Sequence, residues 1–259
     1  MLIAALLPEA AAPYPRRMRR STLVTVSLAV TLAVVLATAA CGTSGPPKIN
    51  SAPGTANDEN SAALPRLSVH QPDVPTGFEV VLYPDGDKVV NEVTLDLCAA
   101  TFPSEALRIA RRQTAVLDVD QNLVFSTEAV GYRSEAATAQ AFTELRSAQT
   151  NCPTDFVPSA AAGGTPLRTL FNPTPDRGWA APPAGIERLV FDMFVVDEQG
   201  RAARTAAIYL RRGRILLGLY YYLPPSQALP AIEGQTTVEG ITNAFAARLS
   251  GLSAKVVGG

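Results

Sequence analysis

The stretch IERLVFDMFVVDEQGRAARTAAIYLRRGRILLGLYYYL, residues 186–223, decides the fold of this 259-residue chain. Three apolar, β-favouring runs follow one another: Ile186 to Val196, Ala203 to Arg212 and Arg214 to Leu223. Asp197-Glu198-Gln199-Gly200 separates the first two, and Gly213 makes a tight break before the third. Runs of this length joined by short polar or glycine turns predict an antiparallel meander. Strand side chains alternate between faces, so Tyr220 and Tyr222 share one face and Tyr221 points to the other.

Working outward, the C-terminal side supplies a helix from about Thr237. Thr236 with Glu239 reads as a capping box, and Val238, Ile241, Phe245 and Leu249 form a buried stripe. Upstream, residues 153–185 are dense in Pro, Gly and Ala, with Leu167 to Phe171 the one strand-like run; the single tryptophan, Trp179, sits in this crossover. Before it, Ser134 opens a helix that runs to Thr150, with Ala137 or Thr138, Phe142 and Leu145 on one side. Two strands, Arg108 to Leu117 and Leu123 to Tyr132, flank the turn cluster Asp118–Asn122. A short helix starts at Phe102-Pro103-Ser104-Glu105 and ends near Ile109. Phe78 to Tyr83 and Val89 to Leu97 read as a hairpin about Asp85-Gly86, and residues 64–77, with three prolines, as an extended arm. The expected class is α+β: an antiparallel sheet with amphipathic helices packed on one face, preceded by a signal helix and a disordered tether.

The N-terminal segment carries a different message. After Arg19 and Arg20, Leu23 to Ala40 is uncharged and ends in Leu36-Ala37-Thr38-Ala39-Ala40-Cys41. A basic start, an apolar middle and small residues before a cysteine form a bacterial lipoprotein signal. Residues 1–40 are expected to be removed, with translation starting at Met18, and Cys41 to carry acyl chains such as palmitate. A retained signal-anchor helix is the alternative, since roughly eighteen apolar residues reach the short end of a membrane span. Residues 41–63, rich in Gly, Pro, Ser, Thr and Asn, make a tether of low ordering tendency. The domain is expected over 64–259, on the extracytoplasmic face of the cell membrane.

Lipidation of Cys41 also resolves the odd cysteine count. Of three cysteines it leaves Cys98 and Cys152, which pair by default in an oxidising compartment. Removing residues 1–40 takes four arginines and one glutamate from 22 basic and 23 acidic residues, leaving a net charge of −4. Mild acidity without a dense basic footprint argues against nucleic acid as a partner.

Catalytic signatures are sparse. The only histidine, His70, lies in the arm, no GxSxG occurs, and no glycine-rich phosphate loop or acidic calcium loop supports a cofactor or metal. Asp96, Glu128, Glu187 and Asp192 lie on or near strands, where carboxylates could serve a hydrolase or simply face solvent. Tyr220, Tyr222, Arg211 and Trp179 are candidate ligand-binding residues, because aromatic faces beside guanidinium groups recognise sugars, acidic lipids or carboxylates. The alternative for Arg211, Arg212 and Arg214 is a solvated basic edge, and Arg108, Arg111 and Arg112 pose the same choice.

The assembled pattern resembles the PknH-like extracellular sensor domains of mycobacteria and related lipoproteins. The likeness lies in the lipidated cysteine and tether, a strand ending in cysteine (Leu95-Asp96-Leu97-Cys98), a strand flowing into an alanine-rich helix (Ala129–Ala137) and the helix-closing Asn151-Cys152. It implies a two-layer α+β sensor or binding module with a cleft and no catalysis. The expected function is therefore a lipid-anchored envelope protein that binds a small molecule or protein partner, with a carboxylate-based cell-wall or lipid-acting hydrolase as the alternative.

Overall fold

The computed structural model describes residues 58–158, 166–223 and 229–258. The expected signal peptide, Cys41 and most of the tether lie outside the described residues. Among the described residues eight strands form one antiparallel sheet: β1 (Glu79–Leu82), β2 (Arg108–Leu117), β3 (Leu123–Tyr132), β4 (Val157–Pro158), β5 (Pro166–Phe171), β6 (Glu187–Asp197), β7 (Ala202–Arg212) and β8 (Ile215–Tyr222). Their spatial order is β1-β2-β3-β8-β7-β6-β5-β4. Two meanders thus meet where β3 pairs with β8, with Phe125 opposite Tyr221 and Glu128 opposite Gly218. The 186–223 meander stands within a residue or two of its sequence reading. At its β7–β8 corner Gly213 takes φ +54°, and a Cβ there would strike the Val257 carbonyl, so glycine is required on both counts.

Four α-helices among the described residues accompany the sheet: α1 (Asp58–Ala63), α2 (Glu135–Thr150), α3 (Val238–Ser250) and α4 (Ala254–Val257). The α+β class with helices packed on an antiparallel sheet is what the structure has, and the distribution of the helices is finer than the single face expected. Helix α2 lays Ala141, Phe142 and Leu145 on Val130, Tyr132, Tyr209 and Leu216. Helix α3 lays Ile241, Phe245 and Leu249 against Phe125, Ala129, Ile208 and Leu219 on the opposite side. Successive residues of β3, β7 and β8 are apolar on both sides, so each side takes its own helix. Ser134 caps α2 through its hydroxyl, which accepts from Ala137 N. Thr237, not Thr236, caps α3, accepting from Gly240 N; Glu239 instead accepts from Ala180 N and pins the crossover.

Two segments depart from their sequence reading. Residues 64–77 are no extended arm: 3-10 turns at Leu64–Leu67 and Gln71–Asp73 drive Leu64, Leu67 and Val69 into the α3-side core. Val69 N donates to Thr127 Oγ1, which ties the turn to β3. Val89 to Leu97 is not a strand, and β1 pairs with β2 instead of with it. Its backbone groups bond to side chains from elsewhere, as described below. Cys98 and Cys152 are joined in a disulfide with Cα atoms 5.1 Å apart, stapling this segment to the end of α2. Among the described residues no helix is long and apolar enough to cross a membrane.

Candidate functional site

On the α2 side, beyond the end of the helix, the sheet surface carries polar residues in adjoining rows. Antiparallel register sets Gln113 beside Glu128, Glu128 beside Gly218 and Gly218 beside Tyr209. The next rows set Tyr220 between Ser126 and Ala207, and Tyr222 beside Thr205. Thr94, Asp96 and Leu97 lie over them. Between floor and roof is a cavity of about 20 Å³, lined by these three and by Gln113, Glu128, Met193, Thr205, Ala207, Tyr209, Tyr220 and Tyr222. That volume admits one water-sized group. A second cavity of about 30 Å³ shares Asp96 with it and is walled by Cys98, Val157, Pro158, Leu167 and Val195 among others.

Buried ion pairs hold the roof. Glu128 is 2% exposed and Arg111 3%. Arg111 Nε donates to Glu128 Oε1, its Nη2 to Gln113 Oε1, and its Nη1 to the carbonyls of Asp85 and Lys88. Arg108 works the same way: it donates to the carbonyls of Val89 and Glu92 and, at 2.7 Å, to Thr94 Oγ1. The Thr94 hydroxyl in turn donates a hydrogen bond to Glu128 Oε1 at 3.0 Å. Glu105 takes Thr94 N and Leu95 N on its two carboxylate oxygens and pairs with Arg108. Two guanidiniums and one carboxylate therefore do for residues 85–95 what a strand partner would have done. Burial raises the Glu105 carboxyl above its ordinary range, against the lowering pull of Arg108.

The second oxygen of Glu128 faces a different neighbour, accepting from the Tyr220 hydroxyl at 3.3 Å. Tyr220 reaches it by lying over Gly218, where a Cβ would stand 2.6 Å from the phenol oxygen. A glycine in mid-strand weakens β-structure and marks close approach by another group. The Tyr220 ring meets Tyr209 edge to face, centroids 5.9 Å apart. Burial pushes the hydroxyls of Tyr209, Tyr220 and Tyr222 well above the ordinary phenol range, so they stay protonated donors at any physiological pH.

The structure thus brings together Tyr220, Tyr222, Asp96 and Glu128 of the residues singled out in the sequence, and separates the others. Arg211 shares their face but donates to Glu187, which also pairs with Arg146 of α2; these guanidiniums, Arg211 first, lower the Glu187 carboxyl. Asp192 lies on the α3 side, bound by Arg204 and Asn172, whose hydrogen bonds outweigh burial and lower its carboxyl. Trp179 packs against the α3-side core with Arg188 over its ring at 5.1 Å, away from the tyrosine cavity. Arg212 and Arg214 make no solvated edge: Arg212 donates to the carbonyls of Leu249 and Leu252 and Arg214 to that of Val256, capping the C-terminal helices. Arg108 and Arg111 are likewise buried clamps, while Arg112 faces the other side of the sheet. His70 Nε2 lies 2.7 Å from the Pro65 carbonyl. Gln113, Thr205 and Tyr209 carry no mark of their place in the sequence: Thr205 and Tyr209 enter across the β7–β8 hairpin, and Gln113 only through the β3–β8 pairing that joins two hairpins distant in the chain.

Set against known proteins, the chain matches no protein-family model and no curated protein. Its fold is similar to the solved extracellular domain of PknH from Mycobacterium tuberculosis, with 10% sequence identity and a TM-score of 0.39 over 77% of this chain and 96% of that one. The likeness is weak and at the level of the fold alone.

Proposed function

We propose that this chain is a lipid-anchored protein of the cell envelope, held at the extracytoplasmic face of the membrane through Cys41, whose α+β domain is a non-catalytic binding module. The observation that carries the reading is the convergence of Tyr209, Tyr220 and Tyr222 with Asp96 and Glu128 on one small cavity. Its ligand is a small envelope component or an exposed group of a partner protein. The lipobox and the cysteine pair support the location. A roof fastened by Arg108 and Arg111 over the cavity supports binding in a preformed site.

A hydrolase built on carboxylates is the second reading, favoured by the meeting of Asp96 and Glu128 at the same cavity. The two readings separate in one experiment. The full chain is screened by thermal shift against amino sugars, polyols, alkylamines and short peptides, and the same compounds and their glycosides or esters are followed for product by mass spectrometry. Saturable shifts that vanish in Tyr220→Ala, with no product formed, are expected. Product formation lost in Asp96→Asn establishes the hydrolase instead. For the anchor, labelled palmitate is expected in the wild type and not in Cys41→Ala; equal labelling removes Cys41 as the lipid site.

A further inference from the structure

Three oxygen groups in the tyrosine cavity lack a full set of partners. Thr205 is 1% exposed, lines the cavity, and its hydroxyl has no hydrogen bond among the described residues. Native structures rarely leave such a group unpaired, and each instance calls for an explanation such as an unseen water, ion or ligand. Glu128 Oε2 has only the long bond from Tyr220. Asp96 enters no ion pair or hydrogen bond with a described residue. The cationic donors nearby are already engaged: Arg111 serves Glu128 Oε1, Gln113 and two carbonyls, and Arg108 serves Thr94 and the roof.

Charge follows the same pattern. Arg111 balances Glu128, which leaves Asp96 as uncompensated negative charge on the wall. The complement is therefore a compact cation rich in N–H donors. Metal ions want more ligands than are present, since among the described residues no three His, Cys, Asp or Glu side chains come together to hold one. An organic ammonium fits better on three counts. It is about the size of the single water the cavity admits, it brings three donors for oxygen acceptors, and three aromatic residues, Tyr209, Tyr220 and Tyr222, line the cavity, a setting that favours a cation over an anion. A sugar ring is far too large for the space.

We propose that the cavity receives the ammonium group of a primary amine, with Asp96, Glu128 and Thr205 as acceptors and the tyrosines as its aromatic wall. The inference rests on reading this cavity as the binding site. The alkyl portion of the guest has apolar room beside Asp96, in the second cavity lined by Pro158, Leu167 and Val195.

The test is calorimetric titration of the full chain with n-butylammonium, with n-butanol as its neutral counterpart. Saturable binding of the amine and none of the alcohol is expected, weakened about fivefold or more in Asp96→Asn and in Thr205→Val and unchanged in Asp192→Asn. Thr205→Val is also expected to raise the Tm of the unliganded protein, because a methyl replaces an unpaired buried hydroxyl. A lowered Tm in that variant, equal binding of amine and alcohol, or no binding of the amine overturns the assignment. If a neutral polyol binds and is lost in Tyr220→Ala while the amine does not bind, only the ammonium assignment falls. If neither binds, the reading of the cavity as a ligand site falls with it.

Discussion

Replacing Arg111 by methionine removes the group on which the roof and the buried carboxylate both depend. The guanidinium is 3% exposed, faces a carboxylate that is 2% exposed, and donates as well to Gln113 and to the carbonyls of Asp85 and Lys88. Removing one member of a buried ion pair costs about 3–5 kcal/mol, because the partner keeps its desolvation penalty. Methionine retains much of the packing, so Arg111→Met is expected to lose about 4 kcal/mol, a large share of a stability that is generally about 5–15 kcal/mol. Glu128→Gln leaves Arg111 with an amide oxygen and its carbonyls, and is expected to cost less, about 2 kcal/mol. The double variant is expected to be less destabilised than the sum of the singles by at least about 2 kcal/mol, since the second change removes a charge already stranded by the first. Urea unfolding of the disulfide-intact protein, at unchanged slope, reads all four states. Additivity within about 0.5 kcal/mol would show that the pair is not coupled and refute the reasoning.

Three further outcomes follow from the same structure. Removing the disulfide with Cys98→Ser and Cys152→Ser is expected to cost about 4 kcal/mol in the chain-entropy treatment of its loop, measured by urea unfolding; a change below about 1 kcal/mol contradicts the staple. Gly218→Ala is expected to cost about 1–3 kcal/mol by overpacking and to displace Tyr220 from Glu128, seen as a shift of the Tyr220 ring resonances; an unmoved ring contradicts the close approach. For pH, the Asp192 and Glu187 carboxyls are lowered in the folded state from 3.8 and 4.5, so the unfolded chain binds more protons between the folded values and these ordinary ones. Their contribution is present above those ordinary values and is lost as pH falls through the folded ones. Asp192→Asn should flatten the acid limb of a Tm against pH curve, and an unchanged limb would count against the Arg204 pairing.

The parts of the fold legible in the sequence are those whose bonding partners are local. Alternation and turn residues mark β6, β7 and β8 because each strand pairs with the next, and Ser134 marks α2 because its hydroxyl caps its own helix. Val89–Leu97 looks like a strand by the same measure, yet its partners are Glu105 and Arg108, while Arg111 holds Asp85 and Lys88 just before it, and no local pattern announces that side chains will replace a ladder. The site divides in the same way. Period two puts Tyr220 and Tyr222 on one face and the β7–β8 pairing sets Thr205 beside Tyr222, whereas the approach of Glu128 and Gln113 to them depends on the β3–β8 pairing that joins the two meanders. Arg211 and Trp179 stand out in the sequence for their chemistry, and nothing local reveals that Glu187 holds one and the α3-side core the other.

The most direct measurement is ring-selective NMR of the full chain, labelled in tyrosine, during titration with n-butylammonium. Saturable shifts are expected for Tyr209, Tyr220 and Tyr222, while Tyr221, which bonds to Thr242 on the opposite side of the sheet, should stay still. Saturable shifts at Tyr221 with the other three unmoved, or no shift in any of them, would contradict the placement of the binding site in the tyrosine cavity.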